Sequence, residues 1–481
     1  MSKNYVTVVG LEVHAELNTK TKIYCGCKNS FGSEVNANCC PICTGMPGTL
    51  PTLNEKVVEY AVKMGYALNC TINNICKSDR KNYFYPDLPK AYQISQFDIP
   101  LCQNGYVDAV IDEQGNTKRV GVTRIHIEED AGKLIHADSY AGKSLVDFNR
   151  CGVPLIEIVS EPDMRSSAEA KAYLDSIRSI LQYLDISDCK MQEGSIRCDV
   201  NVSVHPDDTD KLGTRCEMKN VNGFSNVVAA IEYESARQIE ILEAGGTIPQ
   251  ETRRWDAATG TNQLLRSKEN AQDYRYFPEP DLLTIVVEEE TLARLRSEIP
   301  ELPGKKLVRL MRQYGLPFFD ANLFVENQDK AAFFEQCAAQ NLCQPKTLSN
   351  WLLGDISRIL NDKGVALEQT NLTPQKLGEM IALIERGAIS NTAGKTVLEE
   401  MMFSDKTPAQ IVAEKGLAQI SDSGALESVV AAVLAENQKV VDDYHGGKSN
   451  AMGFLVGQCM KASKGQGNPN MIREILTRQL G

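Results

Sequence analysis

No apolar stretch in these 481 residues approaches the roughly 20 that a membrane-spanning helix requires, which argues against a helical membrane protein. The opening, MSKNYVTVVG, has neither the apolar core nor the cleavage site of a secretory signal, so a cytoplasmic location is expected. Phosphate-binding P-loops are missing as well. Gly142-Lys143-Ser144, Gly394-Lys395-Thr396 and Gly447-Lys448-Ser449 imitate the end of one, but Ala137, Ile389 and Asp442 stand where its first glycine belongs. There is no GxSxG elbow and no Cys/His pair in a familiar nucleophile context, so an acyl-enzyme has no evident nucleophile on this chain. With a net charge of -12 the chain as a whole repels a phosphate backbone, and any contact with nucleic acid must be a local patch.

What is present is an ordinary globular composition, 42% hydrophobic and 24% charged, in a chain long enough for two to four domains each with its own core. Fifteen cysteines without a secretory signal fit a reducing compartment, where thiols stay free or bind metal. Most lie in apolar runs and read as small core residues. Four do not: Cys25-Gly-Cys27 and Cys40-Pro-Ile-Cys43 make a CxC…CxxC pattern within 19 residues, with Gly26, Pro41, Gly45, Pro47 and Gly48 supplying turns. Four thiolates on two close knuckles suit a structural zinc with no open coordination position; Cys39 is a competing candidate ligand, and plain core residues are the weaker alternative for some of these thiols.

Periodicity predicts an α+β first part. Tyr5 to Val9 is β-rich, and Gly105 to Ile111 with Arg119 to Ile127 reads as a hairpin. Ser166 and Glu169 form a capping-box pattern ahead of Leu174, Ile177, Leu181 and Leu184 at helical spacing, and Asn226 to Ala244 is a second helix closed by Gly245-Gly246. Between the helices, Ile196 to Val204 alternates as a strand, and Arg215 to Asn220 pairs back to it. Together these predict an antiparallel sheet backed by helices. After Pro300 the pattern turns helical, over Lys305 to Tyr314, Gln328 to Gln340, Lys346 to Asn361 and Thr373 to Arg386, with Thr407 and Pro408 starting a further helix. The predicted domains are 1-292, 293-406 and 407-481. From His445 onward, Lys448, Lys461, Lys464, Arg473 and Arg478 face Glu474 alone, five cations against one carboxylate and so net +4.

Two constellations carry chemistry. Glu12, His14 and Glu16 alternate and share one strand face, Glu128-Glu129-Asp130 ends the strand of Arg124 and His126, and Glu157 sits between two isoleucines. Oxygen ligands with one imidazole suit magnesium or manganese; an exposed turn for Glu128 to Asp130, and an ion pair of Glu157 with Arg150 or Arg165, are the plainer readings. The second is the run Asp79 to Gln96, in which Arg80, Lys81 and Lys90 interleave with Tyr83, Phe84, Tyr85 and Tyr92. Such a run suits a polyanion carrying planar bases, or half-buried rings with solvated charges. Arg197, Lys219 and Arg275 join it as handlers of phosphate or carboxylate, with Asp199 and Glu217 as alternative salt-bridge partners.

The same run, with GLEVHAEL from Gly10, HIEEDAGK from His126, PLIEIVSEPD from Pro154 and DYRYFPEPD from Asp273, resembles the B subunits of the glutamyl/aspartyl-tRNA amidotransferases. The resemblance spreads over more than half of the chain and extends to the polar tail. It implies a catalytic cradle domain with a fold like glutamine synthetase, then an all-α domain and a small helical tail that holds tRNA. It places magnesium ligands at Glu12, His14, Glu129 and Glu157, with Glu128 as a neighbour, and nucleotide or the terminal adenosine of tRNA along Arg80 to Lys90. The implied reaction is ATP-dependent amidation of Glu-tRNA(Gln) or Asp-tRNA(Asn), with ammonia from a glutaminase, the A subunit, and a small C subunit strapping the two together. A non-catalytic, zinc-containing chain that presents tRNA is the alternative; a ligase for a free amino acid leaves the basic tail unexplained.

Overall fold

Strict alternation of apolar and polar residues sets the centre of the fold. β1 (Tyr5–Glu16) buries Val9, Leu11, Val13 and Ala15 and turns Glu12, His14 and Glu16 to its other face. In chain order follow β2 (Thr71–Ile72), β3 (Ile75–Cys76), β4 (Asp79–Asn82), β5 (Tyr92–Ser95), β6 (Cys102–Val110), β7 (Thr117–Glu129), β8 (Lys133–Ile135), β9 (Leu145–Asp147) and β10 (Pro154–Ser160). Then come β11 (Ile196–Pro206), β12 (Cys216–Val221), β13 (Glu251–Asp256), β14 (Thr261–Ser267) and β15 (Phe277–Pro278). This is a computed structural model, and it describes residues 4–135, 143–267, 273–419, 423–448, 450–463 and 466–481.

One sheet runs in the order β14-β13-β12-β11-β1-β10-β7-β6-β2, antiparallel except where β12 pairs with β13. A smaller sheet, β15-β4-β5, carries the cation-and-tyrosine run. The apolar face of the large sheet is covered by α1 (Glu55–Ala67), α2 (Ser167–Tyr183) and α3 (Phe224–Glu243). Ser166 caps α2 by accepting the Glu169 N–H at 3.1 Å, and the Glu169 carboxylate reaches back to the Arg165 N–H rather than to Ser166. The cap contributes about 1 kcal/mol. Tyr173, Leu174, Ile177 and Leu181 are buried in the same cluster as Leu11 and Val200, at roughly 1.5–3 kcal/mol each, so the apolar stripe decides where the helix docks.

The predicted hairpin is present as β6 and β7, closed by a turn in which Asp112 accepts the Gln114 and Asn116 N–H groups, each at 3.0 Å. The predicted return strand is β12, antiparallel to β11. This α+β arrangement occupies the first of two compact units, Met1–Lys306; the second is Leu307–Gly481.

The second unit is helical. The expected helices occur as Pro303–Tyr314, which crosses the division, Gln328–Ala338 and Pro374–Glu385. Where periodicity predicts one helix over 346 to 361, Pro345–Trp351 passes through a π-turn at Leu352–Ile356 into Ser357–Lys363. The Ser357 hydroxyl donates to the Leu352 carbonyl at 2.7 Å there, a local competitor for the regular helical bond. Thr407 and Gln410 form a full capping box ahead of Pro408–Lys415. The last helices close on a separate apolar cluster that includes Leu426, Val430, Leu455, Cys459, Ile472 and Leu476.

Candidate functional site

The face of the sheet opposite the helices is polar, and strand register assembles it. His126 lies opposite Glu157, Glu157 opposite His14, and His14 opposite Arg197, which puts one row of titratable groups across β7, β10, β1 and β11. Because paired residues share a face, their side chains converge. The Glu157 carboxylate lies 3.4 Å from His14 Nε2 and 3.3 Å from His126 Nε2, and Glu128 approaches the same two nitrogens at 3.7 and 3.6 Å. Donor atoms of His14, Glu128 and Glu157 all lie within 4.8 Å of one another, a spacing that fits a divalent cation.

Electrostatics bind this cluster together. Burial alone would lower the His126 pKa, but Glu157 and Glu128 outweigh it and push it up to about 9. His14 is raised too, with burial opposed by Glu157, while Glu157 is held well below the usual carboxylate range by both imidazoles against the cost of its own burial. A second acidic group, Glu12, Asp199 and Glu217, lies on the neighbouring strands. Asn201 donates to Glu12 at 3.0 Å, and burial followed by Glu157 raises the Glu12 pKa. Lys219 bridges Asp199 at 2.6 Å and Glu217 at 2.9 Å, which is the salt-bridge alternative. Arg197 is held by Asp130 at 2.7 Å, and burial with Asp130 nearby pushes Glu16 up to about 7.

Of the four nominated magnesium ligands, the structure brings His14 and Glu157 into one cluster and Glu12 into the adjacent one. Glu129 is elsewhere. Successive strand residues face opposite ways, so Glu128 shares the polar face with His126 while Glu129 turns back toward β5. There its carboxylate accepts Lys90 Nζ at 2.5 and 2.6 Å and the Ile94 N–H at 3.0 Å. His126 is absent from the predicted set, although its alternation with Ile125 and Ile127 is the signal that points to it.

In the small sheet, Arg80 forks onto Glu279 at 2.7 and 2.8 Å and lies over the Tyr92 ring at 4.1 Å. The Lys81 side chain has no hydrogen bond or ion pair among the described residues; burial opposes its charge, yet Glu128 and then Tyr276 and Glu157 raise its pKa. Its ammonium sits 5.0 Å from the Tyr274 ring. Tyr83, Tyr274, Tyr276 and Phe97 form a continuous run of rings, ending in a stack at 4.3 Å. Tyr85 and Arg275 are exposed.

Cys25, Cys27, Cys40 and Cys43 come together, with sulfur separations to Cys43 of 3.5, 4.0 and 3.8 Å. Four sulfurs at about 2.3 Å from one tetrahedral centre stand about 3.8 Å apart, so the arrangement is compatible with zinc. Cys39 instead donates to the Asn36 carbonyl. In the second unit Lys448 pairs with Asp443 at 2.8 Å and Arg478 with Glu427, while Lys461 and Arg473 are exposed. Lys464 lies outside the described residues.

Comparison with known proteins places the chain in a family. A family model described as the GatB/GatE catalytic domain matches residues 7–293, and one described as the GatB domain matches residues 332–480. The chain is 56% identical over 476 residues to the B subunit of the aspartyl/glutamyl-tRNA(Asn/Gln) amidotransferase of Caldanaerobacter subterraneus subsp. tengcongensis. It is 56% identical over 481 residues to that of Caldicellulosiruptor bescii; both alignments cover 99% of each chain. The corresponding B subunit of Moorella thermoacetica is 50% identical over 477 residues, covering 99% of this chain and all of that one. The acidic row, the cysteine knuckle and the helical second unit are thus those of a chain that belongs to the GatB family, the B subunits of aspartyl/glutamyl-tRNA(Asn/Gln) amidotransferases.

Proposed function

We propose that this chain is the catalytic ligase component of a heteromeric amidotransferase, converting Glu-tRNA(Gln), Asp-tRNA(Asn) or both to the amide with ATP and ammonia. A carboxylate resists attack by a nucleophile because of its charge and because oxide is a very poor leaving group; phosphorylation removes both obstacles. The polar sheet face, flanked by the Lys81 segment, is the cradle in which this happens. The observation that carries the reading is the convergence of His14, Glu128 and Glu157, with His126 behind them, beside a lysine that has no ion pair among the described residues and a run of tyrosines.

Magnesium held by His14, Glu128 and Glu157 would supply positive charge against the charge that develops in transfer of the γ-phosphoryl group. The protein's own work is orientation. His126 fixes Glu157 and Glu128 from the buried side, Asn201 and Lys219 hold Glu12, Asp199 and Glu217, and Tyr274 with Tyr276 offer faces on which a base can stack. Glu129 contributes by fixing Lys90 at the edge of the nucleotide segment. With no hydrolase nucleophile evident in the sequence, ammonia comes from a glutaminase partner, the A subunit, and a small C subunit joins the two. The four cysteines hold a structural zinc. Lys448, Lys461, Lys464, Arg473 and Arg478 contact tRNA through phosphate and shape.

Glu157→Gln in the assembled complex tests this. Loss of one ligand to the cation removes several kcal/mol of charge stabilisation, so amidation should fall at least ~100-fold with tRNA binding kept. A chain that only presents tRNA would lose neither, and unchanged ATP-dependent amide formation in this variant would overturn the catalytic reading.

A further inference from the structure

Lys22 is a feature of the first unit that neither the sequence pattern nor the family assignment explains. Its side chain is 0% exposed, and its Nζ donates to Cys43 Sγ and to the Phe148 carbonyl, each at 3.4 Å. A buried ammonium is costly unless a compensating charge lies close. No carboxylate forms an ion pair with it among the described residues, and the one ionisable group its ammonium bonds there is the Cys43 thiol. Zinc with four thiolates supplies the compensating charge: two positive and four negative charges leave the centre at -2, and a cation against one sulfur brings this to -1.

The backbone around Lys22 ties the knuckle to the acidic face. The Lys22 N–H bonds the Cys27 carbonyl at 3.0 Å and the Ile23 N–H bonds the Gly152 carbonyl at 2.9 Å. Gly152 has φ +76°, a conformation that favours glycine, so the turn receiving Lys22 is fixed by sequence. That turn carries Arg150, which donates to the Ala131 and Gly132 carbonyls at 3.0 and 2.7 Å and lies 3.5 Å from Asp130, the partner of Arg197.

From this we infer that Lys22 is a positioning residue for the metal knuckle, a fixed internal counter-cation that lowers the charge of the zinc-thiolate centre and clamps it onto the 148–152 turn. The inference rests on the proposal that zinc occupies the four cysteines. It is tested with the full-length chain carrying Lys22→Met, by competition of zinc against a chromogenic chelator and by the absorption spectrum of the cobalt(II)-substituted protein. Partners of metal ligands typically contribute ten- to a hundredfold in affinity, so Lys22→Met should weaken zinc binding about 10–100-fold. The sulfur-to-cobalt charge-transfer band should move to longer wavelength, since a thiolate without its cation gives up an electron more readily; a merely structural lysine would leave that band in place.

An affinity change under about threefold, or a weakening with an unmoved band, overturns the role of Lys22. Parent protein that binds no stoichiometric zinc overturns both this inference and the zinc assignment beneath it, and so is told apart. Circular dichroism checks the fold of the variant; where methionine unfolds the chain, Lys22→Gln, which keeps a donor without the charge, is judged by the same thresholds.

Discussion

Replacing Glu128 and Glu129 by alanine, one at a time, separates two adjacent carboxylates that the strand aims in opposite directions. Glu129 is 3% exposed and accepts both short bonds from Lys90 together with the Ile94 N–H. Removing it strands a mostly buried ammonium, which costs about 3–5 kcal/mol. Glu128 is equally buried, but His14 and His126 keep Glu157 when it is gone, and the mutual repulsion of two converging carboxylates is relieved. Its removal should cost no more than about 1 kcal/mol. In thermal melts of the full-length chain, where about 1 kcal/mol moves the midpoint by roughly 2–4 °C, Glu129→Ala should fall by at least ~6 °C and Glu128→Ala by less than ~4 °C. Binding of manganese, followed by its electron paramagnetic resonance, should reverse the order, lost without Glu128 and kept without Glu129. Equal melting shifts, or manganese binding lost only with Glu129, would refute the assignment of strand faces.

Glu234 on α3 is buried and accepts Arg237 at 2.6 and 2.9 Å, Gln238 at 2.7 Å and Asn262 at 2.7 Å, so Glu234→Ala should lower unfolding free energy by about 3–5 kcal/mol in urea titration. Burial raises its pKa, but these donors prevail and hold it below the ordinary value; the stabilisation is therefore complete above the ordinary carboxylate range and is lost as pH falls through the lowered value. Glu234→Gln should lose that share of the acid sensitivity, and an acid-unfolding curve of unchanged steepness would contradict the linkage. Arg80→Met leaves Glu279, whose side chain is fully buried, without its fork and should destabilise by ~3 kcal/mol or more, whereas Lys81→Met should melt within ~2 °C of the parent while raising KM for ATP. A large melting shift in the Lys81 variant would make that residue structural. Stripping metal with a strong chelator under reducing conditions should open Cys25, Cys27, Cys40 and Cys43 to alkylation, read by mass spectrometry, with the buried Cys102 and Cys198 protected; equal labelling before and after would argue against a metal-held knuckle. Lys461→Glu and Arg473→Glu should weaken tRNA binding and flatten its salt dependence by about one unit of slope per lost phosphate contact, and an unaltered slope would remove the helical tail from the tRNA interface.

Which of these features are legible in the chain follows from the range of the forces involved. β11, the β6–β7 hairpin and α2 declare themselves through patterns that repeat within two to four residues, and Thr407 with Gln410 through a cap that closes within one turn. The four cysteines are legible for the same reason, two close pairs joined by turn residues. The π-turn at Leu352–Ile356 is not, because its amphipathic pattern is that of an uninterrupted helix. The Glu128-Glu129-Asp130 block is the instructive case: once His126 is placed on the polar face, period two sends Glu128 with it and Glu129 away, a consequence present in the sequence yet hidden while the three acids are taken as one turn.

The pairing of cations lies beyond any local pattern. Arg197 finds Asp130 across 67 residues and Arg80 finds Glu279 across 199, distances in sequence over which only the register of the sheet decides who meets whom. That register also sorts the cations by availability. Arg80, Lys90, Arg197 and Lys219 are already committed to carboxylates, and a polyanion that recruited one of them would first have to break a charge-assisted bond and leave a buried or half-buried acid without it. Lys81 and Arg275 have no such commitment among the described residues. On the proposed function, an incoming phosphate would therefore meet least resistance at these two, on the strand and loop where the tyrosine rings stand, and the committed cations would serve instead to keep the acidic floor rigid.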